Sequence, residues 1–440
     1  MSDTATPRPE SAQLACPECG TLITYYDVEG SEYYACASCH AYFKYSGESK
    51  PKVLGNYKSV PPPELGLLPI GTTGTLAGQP CRVVGLVERA ELARNGKLQY
   101  RWLEYQIYQP VTDDYAQLAV FKGHWTVIRP AKRAYRVDDA KTRHASVSQP
   151  DATYRLYNRY QTGVVWAVGE FDWNIEGDSR LSFAEFISPP TMLIQERNKD
   201  RETWYRAEHI EPRAVAAAFK IKPGDMPAQD GVGAVQPDAV RATIPALTLL
   251  TGLALGLLLL AQVLLINRHP PTTLLSENLQ VVADTAAAPG TGRVLVSPSF
   301  TLGHQAALEI DLTATLSNQW LELPVSLVNE QTGQGFEFTK NIEFYSGVES
   351  GENWSEGSRD ADAVLAQVPA GRYHLNFYPF TEAGPAAPAI VVRVVADPAL
   401  WSNFFVVFCL LLLYPLYQYI RRASHETQRW NESDYGPINA

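Results

Sequence analysis

The chain is poor in cysteine, short of basic charge and empty of familiar catalytic motifs. Six cysteines in 440 residues cannot supply a disulfide scaffold. No Ser-His-Asp arrangement, phosphate loop or nucleotide fingerprint occurs, so the common hydrolase, kinase and dehydrogenase classes have no foothold. A mean hydropathy of -0.17 is too low for a polytopic transporter. Disorder is excluded from the other side, because 45% of residues are hydrophobic and only 19% charged. What remains is an acidic chain of two or three folded domains, with a net charge of -10.

Two uncharged apolar runs stand out from this background. Ile244 to Ile266 has 23 residues and Leu400 to Ile420 has 21. As helices they span roughly 35 and 31 Å, enough to cross a bilayer. Trp401 and the tyrosines 414, 417 and 419 suit the aromatic belts of such a span. Arg421, Arg422 and Arg429 follow the second run, which places the C-terminus inside, and two spans place the N-terminus inside as well. The opening MSDTATPRPESAQ is polar and does not read as a signal peptide. The spans hold no carboxylates or basic residues, which excludes an ion pathway built from this chain alone.

Near the N-terminus, Cys16-x2-Cys19 and Cys36-x2-Cys39 form two matched pairs separated by 16 residues. Four thiolates in this spacing can surround one tetrahedral zinc with no position left for water, which predicts a structural zinc ribbon. The rival reading is a pair of redox dithiols. His40 is adjacent to Cys39 and reads as a bystander. Residues 1–60 carry five basic and seven acidic side chains, no footprint for phosphates, so protein docking is favoured over nucleic acid.

From Cys81 to Ile210 short strands alternate with glycine turns. Gln99 to Tyr108 alternates aromatic and polar residues with period two, and Lys122-Gly123-His124 reads as a hairpin turn between Gln117–Phe121 and Trp125–Ile128. The pattern predicts an all-β barrel or a pair of small sheets, closed by a helix near Arg213–Phe219. Gly74, Gly85, Trp102-Leu-Glu-Tyr105, Gly123-x-Trp125, Gly163-x-x-Trp166, Gly169-Glu170-Phe-x-Trp173, Pro189-Pro190, Glu196 and Trp204 resemble a bacterial family, domain of unknown function 4178 (DUF4178). The resemblance covers about residues 10–220, departing at Ile194-Gln195-Glu196. It carries no established activity. It implies a zinc ribbon ahead of the β domain, and a role in an envelope-associated, envelope-stress assembly. Glu104, Glu170, Asp172 and Glu196 are the candidate acids if the domain is an enzyme. An aromatic-lined binding groove built from Trp102, Tyr105, Trp125, Trp166, Trp173 and Trp204 is the favoured alternative.

Between the two spans, six strand-like segments predict a small jelly-roll or immunoglobulin-like sandwich. Pro369-Ala-Gly371 reads as a hairpin turn, and Asn353-Trp354-Ser-Glu-Gly-Ser358 as a polar loop. That loop could offer Trp354 to a sugar or a partner, or simply pack it. This segment has five basic and fifteen acidic residues, which is the whole net charge and would suit a cationic ligand.

The resulting expectation is a mainly β, two-pass protein of a bacterial inner membrane. Residues 10–45 form the ribbon, 46–65 a linker, 66–220 the cytoplasmic β domain and 221–242 a flexible linker. Residues 243–267 and 399–420 cross the membrane, 270–398 form an extracytoplasmic sandwich, and 421–440 a cytoplasmic tail. The expected function is a non-enzymatic adaptor or sensor that meets protein partners at the bilayer. An enzyme and a nucleic-acid-binding ribbon are the alternatives.

Overall fold

The computed structural model describes residues 11–47, 49–58, 67–92, 98–175, 181–198, 201–382 and 387–436. The first ten residues and the Pro61-Pro62-Pro63 stretch therefore lie outside it. The chain divides into two compact units, Met1–Ile244 with Tyr417–Ala440, and Pro245–Leu416.

The first unit opens with two hairpin-like knuckles. Strands β1 (Ala12–Ala15) and β2 (Leu22–Tyr25) pair with each other, and β3 (Tyr33–Ala35) pairs with β4 (Ala41–Lys44). The expected linker 46–65 is not all linker: Lys52–Asn56 forms β5, which extends this small sheet through β4. Its core is Cys16, Tyr25, Tyr34, Cys36, Ala41 and Phe43.

Beyond it come β6 (Thr73–Leu76), β7 (Gln79–Leu92), β8 (Leu98–Gln109), β9 (Asp114–Phe121) and β10 (His124–Pro130). Then follow β11 (Ser146–Ser148), β12 (Thr153–Phe171), β13 (Leu181–Ser188), β14 (Thr191–Arg197) and β15 (Glu202–Ile210). Strands β7 to β10 form one antiparallel meander and β12 to β15 another. Pairing of β10 with β15, and of β12 with β7, closes an eight-stranded barrel. Strand β12 manages two neighbours because it is long: Arg155–Thr162 faces β13, and Gly163–Gly169 faces β7.

Both faces of the wall are used. Tyr105, Ile107, Leu118, Trp125 and Val127 face outward and are covered by α1 (Pro212–Phe219) through Val215 and Phe219. Phe186, Leu193 and Trp204 are likewise covered by Tyr135, Val137, Ala145 and Val147. The outer face thus carries much of the hydrophobic core, while the inner face is mixed: polar side chains share it with an apolar cluster that includes Ile128, Met192, Ile194 and Val235.

Residues 221–242 do not behave as a free linker. Val235 and Val240 are buried, and the segment packs on the barrel. Gly233 lies so near the barrel that a Cβ there would meet the His124 ring at 2.8 Å.

The second unit holds α2 (Ile244–Arg268) and then β16 (Thr272–Gln280), β17 (Leu295–Val296), β18 (Phe300–Leu302), β19 (Ala306–Ala314) and β20 (Gln319–Asn329). After these come β21 (Gly335–Glu349), β22 (Glu352–Ser358), β23 (Asp360–Val368), β24 (Gly371–Phe377), β25 (Phe380–Thr381) and β26 (Ala389–Ala396). Two sheets, β16-β26-β19-β23 and β17-β24-β20-β21-β22, form a sandwich. Its core is the alternating inner set of Leu308, Ile310 and Leu312 with Leu321, Leu323 and Val325, and with Val392 and Val394. Two local expectations fail. Pro369–Gly371 is a crossover between sheets, because β23 and β24 do not pair. The supposed loop 353–358 belongs to edge strand β22, paired with β21, and Trp354 lies there half-exposed against Gly347.

Helices α2 and α3 (Trp401–Trp430) are both long and apolar enough to cross a membrane. Helix α3 outlasts its apolar run by ten residues, so the expected tail begins as helix.

Candidate functional site

The cysteine module is built from two equivalent turns. Gly20 N–H bonds the Cys16 carbonyl at 2.9 Å, and His40 N–H bonds the Cys36 carbonyl at 3.1 Å. Gly20 (φ 75°) and His40 (φ 60°) occupy the same left-handed position, so His40 serves the turn and does not join the thiols. Cys16 Sγ lies 3.6 Å from Cys39 Sγ, and Cys19 Sγ lies 3.7 Å from Cys36 Sγ. All four sulfurs fall within 4.8 Å of one another. A tetrahedral zinc with 2.3 Å bonds needs sulfurs about 3.8 Å apart. The donor set and the separations therefore fit a closed four-thiolate metal site.

This module docks at the barrel end where β9 starts and β12 finishes. Tyr33 pairs with Phe171, and the Glu170 carboxylate accepts the backbone N–H groups of Tyr26 (2.7 Å) and Asp27 (3.3 Å). The Tyr115 hydroxyl donates to Asp27. Burial pushes Glu170 up to about 7, against the opposing pull of those N–H donors. Glu170 is thus a docking residue.

Inside the barrel is a cavity of about 1080 Å³. Eight strands leave room for one small ligand. Alternate residues line it: Arg89 from β7, Trp102, Glu104 and Gln106 from β8, Phe183 and Glu185 from β13, and Tyr205 from β15. Among the described residues, eight carboxylates (Glu32, Glu91, Glu104, Asp172, Glu185, Glu196, Asp230 and Glu432) face three cationic side chains (Arg89, Lys122 and Arg201). The cations are largely committed. Arg89 bonds Glu104 at 2.7 Å and lies over the Trp173 ring at 5.0 Å, while Lys122 bonds Glu432 at 2.6 Å. Glu104 also accepts the Trp102 indole N–H at 2.7 Å. Asp172 accepts a Gln106 amide N–H at 2.8 Å, and burial raises it.

Glu185 is bound differently. It accepts the Tyr160 hydroxyl at 2.6 Å and makes no ion pair among the described residues. Burial, reinforced by repulsion from Glu91 and Glu104, pushes it up to about 7. The ring of Tyr160 stacks on Phe183 at 5.8 Å and meets Trp102 edge-on at the same distance. An aromatic wall therefore surrounds this carboxyl.

The opposite end of the barrel, where β9 ends and β12 begins, is closed by two later segments. Asp230–Gln236 lines the cavity, with the Asp230 carbonyl 3.0 Å from His124 Nε2 and the Gln229 amide 3.2 Å from His124 Nδ1. Burial holds His124 below its ordinary value. Gln428, Asn431 and Glu432 line the cavity from the C-terminal side. Arg429, 1% exposed, donates to the carbonyls of Gly233 and Ala234 at 3.0 Å each, and the Tyr157 hydroxyl donates to the Arg429 carbonyl at 2.8 Å. Trp430 packs on Tyr157, their ring centroids 5.5 Å apart.

Of the sequence candidates, Trp102, Glu104, Trp173 and Glu196 line the lumen. Tyr105, Trp125, Trp166 and Trp204 do not: they are buried in the outer core, so no single aromatic groove unites the set. Trp354 belongs to the other unit. Sequence reasoning missed Arg89, Tyr160 and Glu185. The alternation of Leu181, Phe183 and Glu185 was the available signal.

Residues 69–212 match the family described as a domain of unknown function (DUF4178). The match begins just before β6 and ends at α1, so the DUF4178 segment takes in every strand of the barrel. The cysteine module, the mouth segments and the sandwich lie outside it. No curated protein sequence matches the chain. Among solved structures, one of infectious bursal disease virus Gt strain is 10% identical, covering 88% of this chain and 69% of its own, at a TM-score of 0.17. The Cry4Aa toxin from Bacillus thuringiensis is 9% identical, covering 84% and 51%, at a TM-score of 0.14. Likeness at this level carries no argument about fold or function.

Proposed function

We propose that the chain is a non-enzymatic sensor anchored by two membrane passes, whose DUF4178 barrel binds a small organic cation in its lumen. The carrying observation is that the two segments leading to α2 and from α3, Asp230–Gln236 and Gln428–Glu432, themselves line the cavity. A ligand in the lumen touches both, so binding bears directly on the ends of both apolar helices. The surplus of carboxylates among the described lining residues, the aromatic wall and Glu185, held there by a tyrosine hydroxyl, together select positive charge. Alkyl ammonium groups meet both demands. Glu104 and Glu170 are held in structural hydrogen bonds, which supports binding over acid–base work.

In this reading the four cysteines hold a structural zinc, and the ribbon offers a docking face for protein partners of an envelope assembly. The residues 270–398 lie outside a bacterial inner membrane and both termini inside, as the Arg421-Arg422 pair indicates. Helix α2 supports the membrane assignment: beyond Ile244 none of its residues is buried, so its apolar surface has no protein cover.

Calorimetry on the full chain in detergent, with mono-, di- and quaternary alkylammonium salts as probes, tests the proposal. The expected result is saturable binding that tightens from pH 6 to pH 8 as Glu185 ionises. Glu185→Gln weakens it by roughly tenfold or more, the worth of about 1.4 kcal/mol. No binding by any salt, or equal binding by the variant, overturns the reading.

A further inference from the structure

The second unit holds a cluster that the barrel reading does not use. His269 follows the last turn of α2, its N–H bonded to the Leu265 carbonyl at 3.0 Å. Asp397 follows β26 and precedes α3 by four residues. It takes a left-handed backbone (φ 52°), and its N–H bonds the Ala307 carbonyl at 3.0 Å, which fixes its carboxylate beside the start of β19. His304 sits in the β18–β19 turn, its Nε2 2.8 Å from Asp397 Oδ2. The rings of His269 and His304 are 6.0 Å apart, and one donor atom from each of the three residues lies within 4.8 Å of the others.

We propose that His269, His304 and Asp397 form a binding site for a divalent transition cation of the zinc class. Two imidazoles and one carboxylate are the ligands of open zinc sites, with water completing the shell. Imidazole donors disfavour calcium and magnesium, which take oxygen. Of eight histidines in the chain, these two come from segments 35 residues apart in sequence, and they meet at an aspartate nearly a hundred residues further on. An ion pair alone needs only His304 and Asp397; the third donor is what an ion would use. Exposure of both histidines leaves the site open to exchange with the surrounding solution. The bound ion ties the end of α2 to the approach to α3 and to a turn of the sandwich. The site thus gives the second unit a metal input distinct from the lumen.

Metal counting on the full chain tests this. Protein stripped by chelator and re-equilibrated with zinc should hold about two ions, one on the four cysteines and one here. His304→Ala and His269→Gln should each hold about one, with the second site weakened by at least roughly 100-fold. Asp397→Asn, which keeps the size of the side chain, should do the same if an alanine variant fails to fold. A Cys16→Ser, Cys19→Ser double variant should keep the outer ion. A millimolar excess of calcium should not displace it. A second ion that survives in both histidine variants, a wild type that holds only the cysteine-bound ion, or displacement by calcium overturns the proposal.

Discussion

A half-buried carboxyl group in the barrel lumen, held by a tyrosine hydroxyl, works against the fold when it ionises. Glu185 and Glu170 are both raised to about 7, chiefly by burial. Between roughly pH 4.5 and 7 each holds more proton in the folded chain than in the unfolded one, so stability falls as pH rises through that window and levels off above it. Glu185→Gln, which stays neutral, should flatten this slope and stabilise the barrel at pH 8 by about 2 kcal/mol. Urea denaturation of both proteins at pH 5 and pH 8 checks it; an unchanged difference between the two pH values would show that Glu185 is not the titrating group. The cysteines give a second expectation at this scale. Chelation, or Cys36→Ser, should expose the amides of β1 to β5 to hydrogen exchange while β8 to β10 stay protected. The barrel strands close on one another without the module.

At the scale of elements, the strand pattern was legible and the meaning of its two faces was not. The segment QYRWLEYQIY shows its alternation at once, and β8 forms over it. An alternating strand normally reads as one buried and one wet face. Here Tyr105 and Ile107 are buried beneath α1 while Trp102, Glu104 and Gln106 line an enclosed lumen, so both faces are interior. Choosing between them requires the closing pairs β10–β15 and β7–β12, which are long-range and leave no local trace. The segment 221–242 shows the opposite failure. Its glycines and prolines read as flexibility, yet Gly233 is there because no side chain fits against His124. Arg429 secures this element. Arg429→Ala removes the Arg429 donor from the Ala234 carbonyl and one of the two donors, with Gln236 N–H, from the Gly233 carbonyl, at a cost of about 1 kcal/mol. Hydrogen exchange should rise in 230–236 and 425–435 together, with the barrel strands unaffected. A rise in only one of the two segments would mean that they are not held as a pair.

On the scale of the whole molecule, the charge is divided by segment. Residues 270–398 carry five basic and fifteen acidic side chains, and the remainder balances. The cysteine spacing and the two apolar runs made the ends of the molecule readable, because each signal is local. The metal-type cluster of the second unit was not readable, since its three members are brought together only by the sandwich. The proposed two-pass topology makes a direct prediction. A cysteine at Trp354→Cys, on the exposed edge strand β22, should react with a membrane-impermeant maleimide in intact spheroplasts. One at Arg143→Cys, on the barrel unit, should react only after lysis. The reverse pattern would invert the orientation, and equal labelling would remove the membrane between the units.

The docking of Trp430 and Arg429 on the barrel has a consequence for how the protein is made. Synthesis runs from the N-terminus, so the cysteine module and all eight barrel strands are made before α2. The C-terminal residues of the barrel mouth follow both apolar runs and the sandwich in the chain. A chain cut short before Gln428 therefore carries an open lumen, and only one that extends past Glu432 can close it. Closure of the barrel mouth is in this sense a record that the sandwich and both apolar helices have been made.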